Sequence, residues 1–113
     1  MKIVENKIGI LELKEMSKKI FGDLVKAVVD IEKEIMAINF ELHVDGEEIL
    51  IQSGSEFKNL WGINIYPEQE DEKFIEFDSM INLKPGLGNR TRGIDNQEIK
   101  EKIILIVNKL VEK

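Results

Sequence analysis

Asp45-Gly46 limits the folds open to this sequence more than any other feature, because the dipeptide favours the positive φ angles of a type I′ turn and stands between two alternating apolar runs. With those residues as the turn, Val44 faces Glu47, Leu42 faces Ile49 and Phe40 faces Ile51. The hairpin then carries Phe40, Leu42, Val44, Ile49 and Ile51 on one face and Glu41, His43, Asp45, Glu48 and Gln52 on the other, a separation that a one-residue slip would destroy. Downstream, Trp61, Ile63 and Ile65 alternate with Leu60, Gly62, Asn64 and Tyr66 until Pro67 stops the strand. After a polar loop, Ile75, Phe77, Ser79, Ile81 and Leu83 alternate with Glu76, Asp78, Met80 and Asn82. Two hairpins sharing one apolar face are expected between Phe40 and Leu83.

The flanks supply the covering layer. Lys2 to Glu5 reads as a short strand that can join the sheet, and from Ile10 to Phe21 the spacing of Leu13, Met16 and Ile20 predicts an amphipathic helix stopped by Gly22. Residues 23–39 admit two structures. The β-branched Val25, Val28, Val29, Ile31 and Ile35 suit a strand pair turning at Glu32-Lys33, but that dipeptide has no residue suited to positive φ. Leu24, Val28, Ile31, Ile35 and Ile38 also form a helical stripe, with Asp23 as cap and Lys26 and Asp30 as i,i+4 partners, so a helix is the expectation. At the far end Asp95-Asn96-Gln97-Glu98 reads as a capping box with Ile94 and Ile99 as a staple, and Ile99, Ile103, Ile106 and Leu110 continue a helical stripe. The sum is one α+β domain over residues 1–113. It has a four-stranded antiparallel meander sheet, five-stranded if Lys2 to Glu5 joins, with two N-terminal helices and a C-terminal helix packed on it.

Composition narrows the setting. A chain of 113 residues, 34% charged and 42% hydrophobic, is long enough to fold around one core without staples. The absence of Cys removes disulfides, thiolate metal sites and cysteine nucleophiles. Without a signal-like or membrane-spanning apolar run, a cytoplasmic location is expected. The formal net charge of −6 argues against nucleic-acid and anionic-membrane partners.

The residues Glu41-Leu42-His43-Val44-Asp45, Leu60-Trp61-Gly62-Ile63-Asn64-Ile65-Tyr66-Pro67 and Ile81-Asn82-Leu83-Lys84-Pro85 with Gly88-Asn89-Arg90 resemble a prokaryotic family of short single-domain proteins classed as a domain of unknown function. The resemblance runs over nearly the whole chain and implies no activity, cofactor or catalytic residue. Relatives tend to carry a Gly pair where Asn39-Phe40 stands and Arg where Lys84 stands, and Lys acts there as a point charge rather than a bidentate donor.

Three groups of residues are candidates for function. On the polar face of the expected hairpin, His43 and Asp45 point to one side beside Asn64, Glu76 and Asp78, a set that could meet a divalent metal. One His is too few for a zinc site, and a solvated sheet face is the plainer account, so no metal is assigned. Glu76 and Asp78 could form an acid/base pair if one were buried. Lys84 to Gly93 is basic and glycine-rich, and Lys84, Arg90 and Arg92 with converging amides suit a small anionic ligand, although Asp95 at the helix start opposes an anion there. No serine is linked to His43 by spacing, Trp61 reads as a core aromatic, and no cofactor is implied. The preferred function is a small non-enzymatic binding or regulatory module. The alternative is a small hydrolase-like enzyme using the His43 and Asp45 face with the Arg90 loop. In this register Leu50, Leu60, Tyr66, Phe74 and Met80 share the polar face, so either the first helix covers them or a homodimer does.

Overall fold

The computed structural model describes all 113 residues. Strands β1 (Lys2–Val4) and β2 (Ile8–Gly9) lead into α1 (Ile10–Ile20), which ends where Gly22, at φ +96°, directs its N–H to the Ser17 carbonyl. Then come β3 (Val25–Asp30), β4 (Ile35–Ile38), α2 (His43–Gln52), β5 (Leu60–Ile65), β6 (Ile75–Glu76), α3 (Gln97–Leu110) and β7 (Val111–Glu112). The main sheet has five strands, all antiparallel, in the order β1-β4-β3-β5-β6, while β2 and β7 pair in parallel as a separate ribbon. The fold is α+β as expected, but only one helix precedes the central strands and the sheet is not a meander.

Residues 23–39 form a hairpin, not the expected helix. Strand β3 is the middle of the sheet and is covered on both faces, so its apolar residues run without the alternation of a half-buried strand and fit a helical stripe equally well. The turn does without glycine. The Asp30 carboxylate accepts from the N–H groups of Glu32 and Lys33 through Oδ1, both at 2.9 Å, and Glu34 takes φ +57°. Its Oδ2 accepts from the Ser55 hydroxyl at 2.6 Å, so Asp30 is a buried anchor between the turn and the chain after α2 rather than a surface partner of Lys26.

The Asp45-Gly46 turn is likewise absent, because both residues lie inside α2. His43, Gly46 and Leu50 face the sheet at spacings of three and four, while Leu42 and Val44, which the hairpin would have buried, are exposed. Gly46 serves close approach instead of positive φ. A Cβ at that position would lie 2.5 Å from two ring atoms of Phe40 and 3.0 Å from a Val28 methyl.

The fourth expected strand, Ile75 to Leu83, stops at Glu76, and Met80–Asn82 is a single 3-10 turn whose Ile81 N–H is held by the Ser79 hydroxyl. Asn82 takes the place of the missing strand beside β5. Its Oδ1 accepts from the Gly62 N–H at 2.8 Å and its Nδ2 donates to the Gly62 carbonyl at 3.0 Å. Leaving those two buried backbone groups unpaired would cost about 1–3 kcal/mol each.

The result is three layers. One sheet face presents Val25, Ala27, Val29, Met36, Ile38, Trp61, Ile63 and Ile65 to Leu13 of α1 and to Ile103, Ile106 and Leu110 of α3. The other presents Val28, Ala37 and Leu60 to Phe40, Leu50 and Ile81. The stripe expected for α3 is buried, but the cap lies one residue later than expected: Asn96 Oδ1 accepts from the N–H groups of Glu98 and Ile99. Of the five residues that suggested a homodimer face, Leu50, Leu60 and Phe74 are buried within the chain and Met80 remains exposed. The second face is closed by α2, not by α1.

On an open helix face, Gly→Ala stabilises by about 1 kcal/mol. Gly46→Ala should instead destabilise this protein by about 1–3 kcal/mol in urea unfolding, through overpacking against Phe40 and Val28. Stabilisation by this substitution would show that α2 does not sit against the sheet.

Candidate functional site

Of the eight candidate residues, Asn64, Glu76, Asp78 and Arg92 are joined by hydrogen bonds beside the end of β6, and His43 bonds the adjacent strand β5. His43 Nε2–H donates to the Ile63 carbonyl at 2.8 Å, and Asn64 Nδ2 donates to Glu76 Oε1 at 2.8 Å and to the Asp78 carbonyl at 3.4 Å. Tyr66 donates its hydroxyl to the same Glu76 oxygen at 3.1 Å, and Arg92 Nε donates to Asp78 Oδ1 at 2.6 Å. His43 feels the charges of Lys26, Asp78 and Arg92. Asp45 stands apart, because residues two apart on a helix project to different sides, so it shares no ligand position with His43.

Most polar groups of this cluster are engaged within the chain. Burial pushes the His43 pKa down, against the opposing pull of the Ile63 carbonyl, so the ring is neutral near pH 7 with its one N–H committed. The Phe40 ring stands edge-on to it at 6.2 Å. Glu76 is occupied by two donors and Asp78 by Arg92. Asn64 Oδ1 is buried without a partner, and both Nδ2 partners are acceptors, which fixes the amide orientation. None of the serines activates here: Ser53 donates to the Ile49 carbonyl, Ser55 to Asp30, and the Ser79 oxygen accepts from Ile81. No group of three His, Asp or Glu side chains is placed to hold a metal ion. A cleft of about 500 Å³ beside Tyr66 is lined by Asp23, Glu68, Glu72 and Glu76 with a single cation, Lys73.

The Lys84–Gly93 loop holds a carboxylate of the chain's own, Asp95, through one backbone N–H and one hydroxyl and not through its basic side chains. The Asp95 carboxylate accepts from the Arg90 N–H at 2.9 Å and the Thr91 hydroxyl at 2.8 Å, contacts that hold its pKa below the usual carboxylate value. Beneath it, Asn89 is buried and donates to the carbonyls of Asn82 at 2.7 Å and Gly93 at 2.8 Å, while its Oδ1 accepts from the Asp95 N–H at 2.7 Å. The three basic residues do not converge. Arg90 makes no ion pair, Arg92 is held by Asp78, and the Lys84 ammonium points inward.

Lys84 reaches the Phe57 carbonyl at 3.0 Å, with its nitrogen 3.4 Å from the centroid of the Phe57 ring and 5.5 Å from that of Trp61. Burial lowers its pKa, and Glu47 of α2 opposes the shift. Burial in turn raises the Glu47 pKa, opposed by Lys84, and Glu47 Oε2 is buried with no partner. The two desolvated charges sense each other without forming an ion pair. Glu47, Asn82, Asn89 and Asp30 were not among the candidate functional residues read from the sequence. The only hint was polar residues inside apolar or glycine-rich runs, which a solvated strand face explains as well.

His43 has a testable linkage. Its folded pKa lies below the unfolded value of about 6.5, so below that pH the unfolded chain takes up a proton that the folded chain refuses, and stability falls as pH drops. The melting temperature should fall between about pH 7.5 and about pH 5.5, and His43→Gln, which retains a donor for the Ile63 carbonyl, should fall less. An equal fall in both proteins would remove His43 as the titrating group.

No curated protein and no solved structure matches the chain significantly. A family model described as "Protein of unknown function (DUF5674)" matches residues 2–110. The match spans nearly the whole chain, and the chain belongs to that family.

Proposed function

We propose that this chain is a non-enzymatic binding module that holds a protein partner on the strip between α2 and the segment Met80–Lys84. One observation carries this reading: apolar side chains remain uncovered on both borders of the strip. Val44, Glu47 and Ile51 lie on one stripe of α2 at spacings of three and four, and the interaction of Glu47 with Lys84 turns that stripe toward the segment. Val44 is 51% exposed, Ile51 44%, Met80 61% and Phe57 53%, and Phe57 packs under the Lys84 ammonium at one end. Single exposed apolar residues are ordinary, whereas a run of them around two desolvated charges fits an interface. Catalysis through His43 and Asp45 has no comparable support, since one is locked on a carbonyl and the other faces elsewhere.

A photo-crosslinking amino acid placed at Met80 in living cells should give a discrete adduct, with a foreign chain or with a second copy. The same group at Leu11, which is also exposed but lies on α1, should give none. No adduct at Met80, or equal adducts at both positions, would contradict the binding surface.

A further inference from the structure

We infer that the partner on this strip is a cationic amphipathic segment of another protein, with apolar anchors flanked by Lys or Arg; the inference rests on the binding reading above and adds the partner's chemistry. The charge pattern carries it. Between Lys33 and Lys58 the chain has no Lys or Arg but has Glu34, Glu41, Asp45, Glu47, Glu48 and Glu56. Two of these are neutralised within the chain, Glu34 by Lys109 at 2.7 Å and Glu56 by Lys58 at 3.5 Å. Glu41 and Glu48 have no cation.

Glu48 lies four residues after Val44 and three before Ile51, so a carboxylate with no cation, accepting only from Gln52 Nε2 at 3.3 Å, borders the apolar stripe on its outer side, and Glu41 lies exposed in the segment just before the helix. On the inner side Glu47 Oε2 is buried without a donor. Lys84 cannot balance these charges toward solvent, because its ammonium is turned onto the Phe57 ring and carbonyl. An occupant that supplies apolar groups to Val44, Ile51 and Met80 and cationic N–H donors to the exposed Glu41 and Glu48 matches both the apolar and the acidic character of this surface. A second copy would bring the same carboxylates to the same place, on a chain whose net charge is already −6, and like charges across an interface are unfavourable.

The test titrates the isotope-labelled protein with a synthetic amphipathic Leu/Lys helix and with its Leu/Glu counterpart, following backbone amides. The Leu/Lys helix should shift amides of Val44–Ile51 and Met80–Lys84, and the Leu/Glu helix should not. Met80→Glu separates this from bulk charge attraction, because it removes an exposed anchor while making the protein more negative. It should weaken binding by about tenfold, the scale of one anchoring side chain. Glu48→Lys, on the outer border, should weaken it as well. Tighter binding by Met80→Glu, or shifts confined to other regions, would overturn the inference. Equal binding of the Leu/Glu helix at the strip would overturn the cationic assignment while leaving the binding surface standing. No binding of either helix would also overturn it, and a dimer mass in light scattering would then name a second copy as the occupant.

Discussion

The close approach of α2 to the sheet at Gly46 is the constraint on which the rest of the structure depends. Val28, at the centre of β3, has Ala37 and Gly62 as its lateral neighbours, and this row is closed by Phe40, Leu50 and Ile81. Without Gly46 the helix axis would have to rise, because no Cβ fits between it and Phe40. The row would then open to water, and the buried contacts that hold α2 would be lost, including the bond from His43 to the Ile63 carbonyl. Gly62 is part of the same fit: a Cβ there would meet the Ser79 side chain at 2.6 Å, so the Ser79–Asn82 segment can lie on β5 only over glycine. Two glycines thus let a helix and a 3-10 turn share one sheet face.

The same closeness explains what could be read from the sequence. Where only one face of an element is buried, periodicity was sufficient: α1 and α3 lie where their spacing predicts, and β5 does so too although both its faces are buried, because its large apolar residues alternate with Gly62 and Asn64. Strand β3, buried on both faces, offers no alternation, and its turn is set by the Asp30 side chain and by Glu34 at positive φ, neither of which a turn dipeptide reveals. At Asp45-Gly46 the glycine was read as conformational freedom, whereas its role is the absence of a side chain. The apolar positions of residues 40–51 satisfy a strand pair and, through His43, Gly46 and Leu50, a helix too. Tertiary packing chooses between them.

The candidate site was legible in its members more than in its geometry. Asn64, Asp78 and Arg92 are joined by hydrogen bonds, whereas His43 arrives from a helix rather than from a neighbouring strand and bonds the Ile63 carbonyl next to Asn64. In the loop read as a place for a small anion, the Asp95 carboxylate is held by the Arg90 N–H and the Thr91 hydroxyl and not by the Lys84, Arg90 or Arg92 side chains. Polar groups that satisfy one another in this way make a rigid scaffold more readily than a reactive centre, since no lone pair is left poised near a nucleophile. Apart from Asn64 Oδ1 and Trp61 Nε1 on β5, what remains unsatisfied lies along α2, where Glu47 and Lys84 are desolvated apart and apolar groups stay wet.

Both the fold and the proposed surface therefore rest on residues 43–52 being a helix laid against Val28. Nuclear Overhauser contacts and Cα shifts of the intact protein test this most directly. The account predicts helical shifts from His43 to Gln52 with contacts from the Gly46 α-protons to the Phe40 ring and a Val28 methyl. Extended shifts over the same residues, with cross-strand contacts between Leu42 and Ile49, would contradict it.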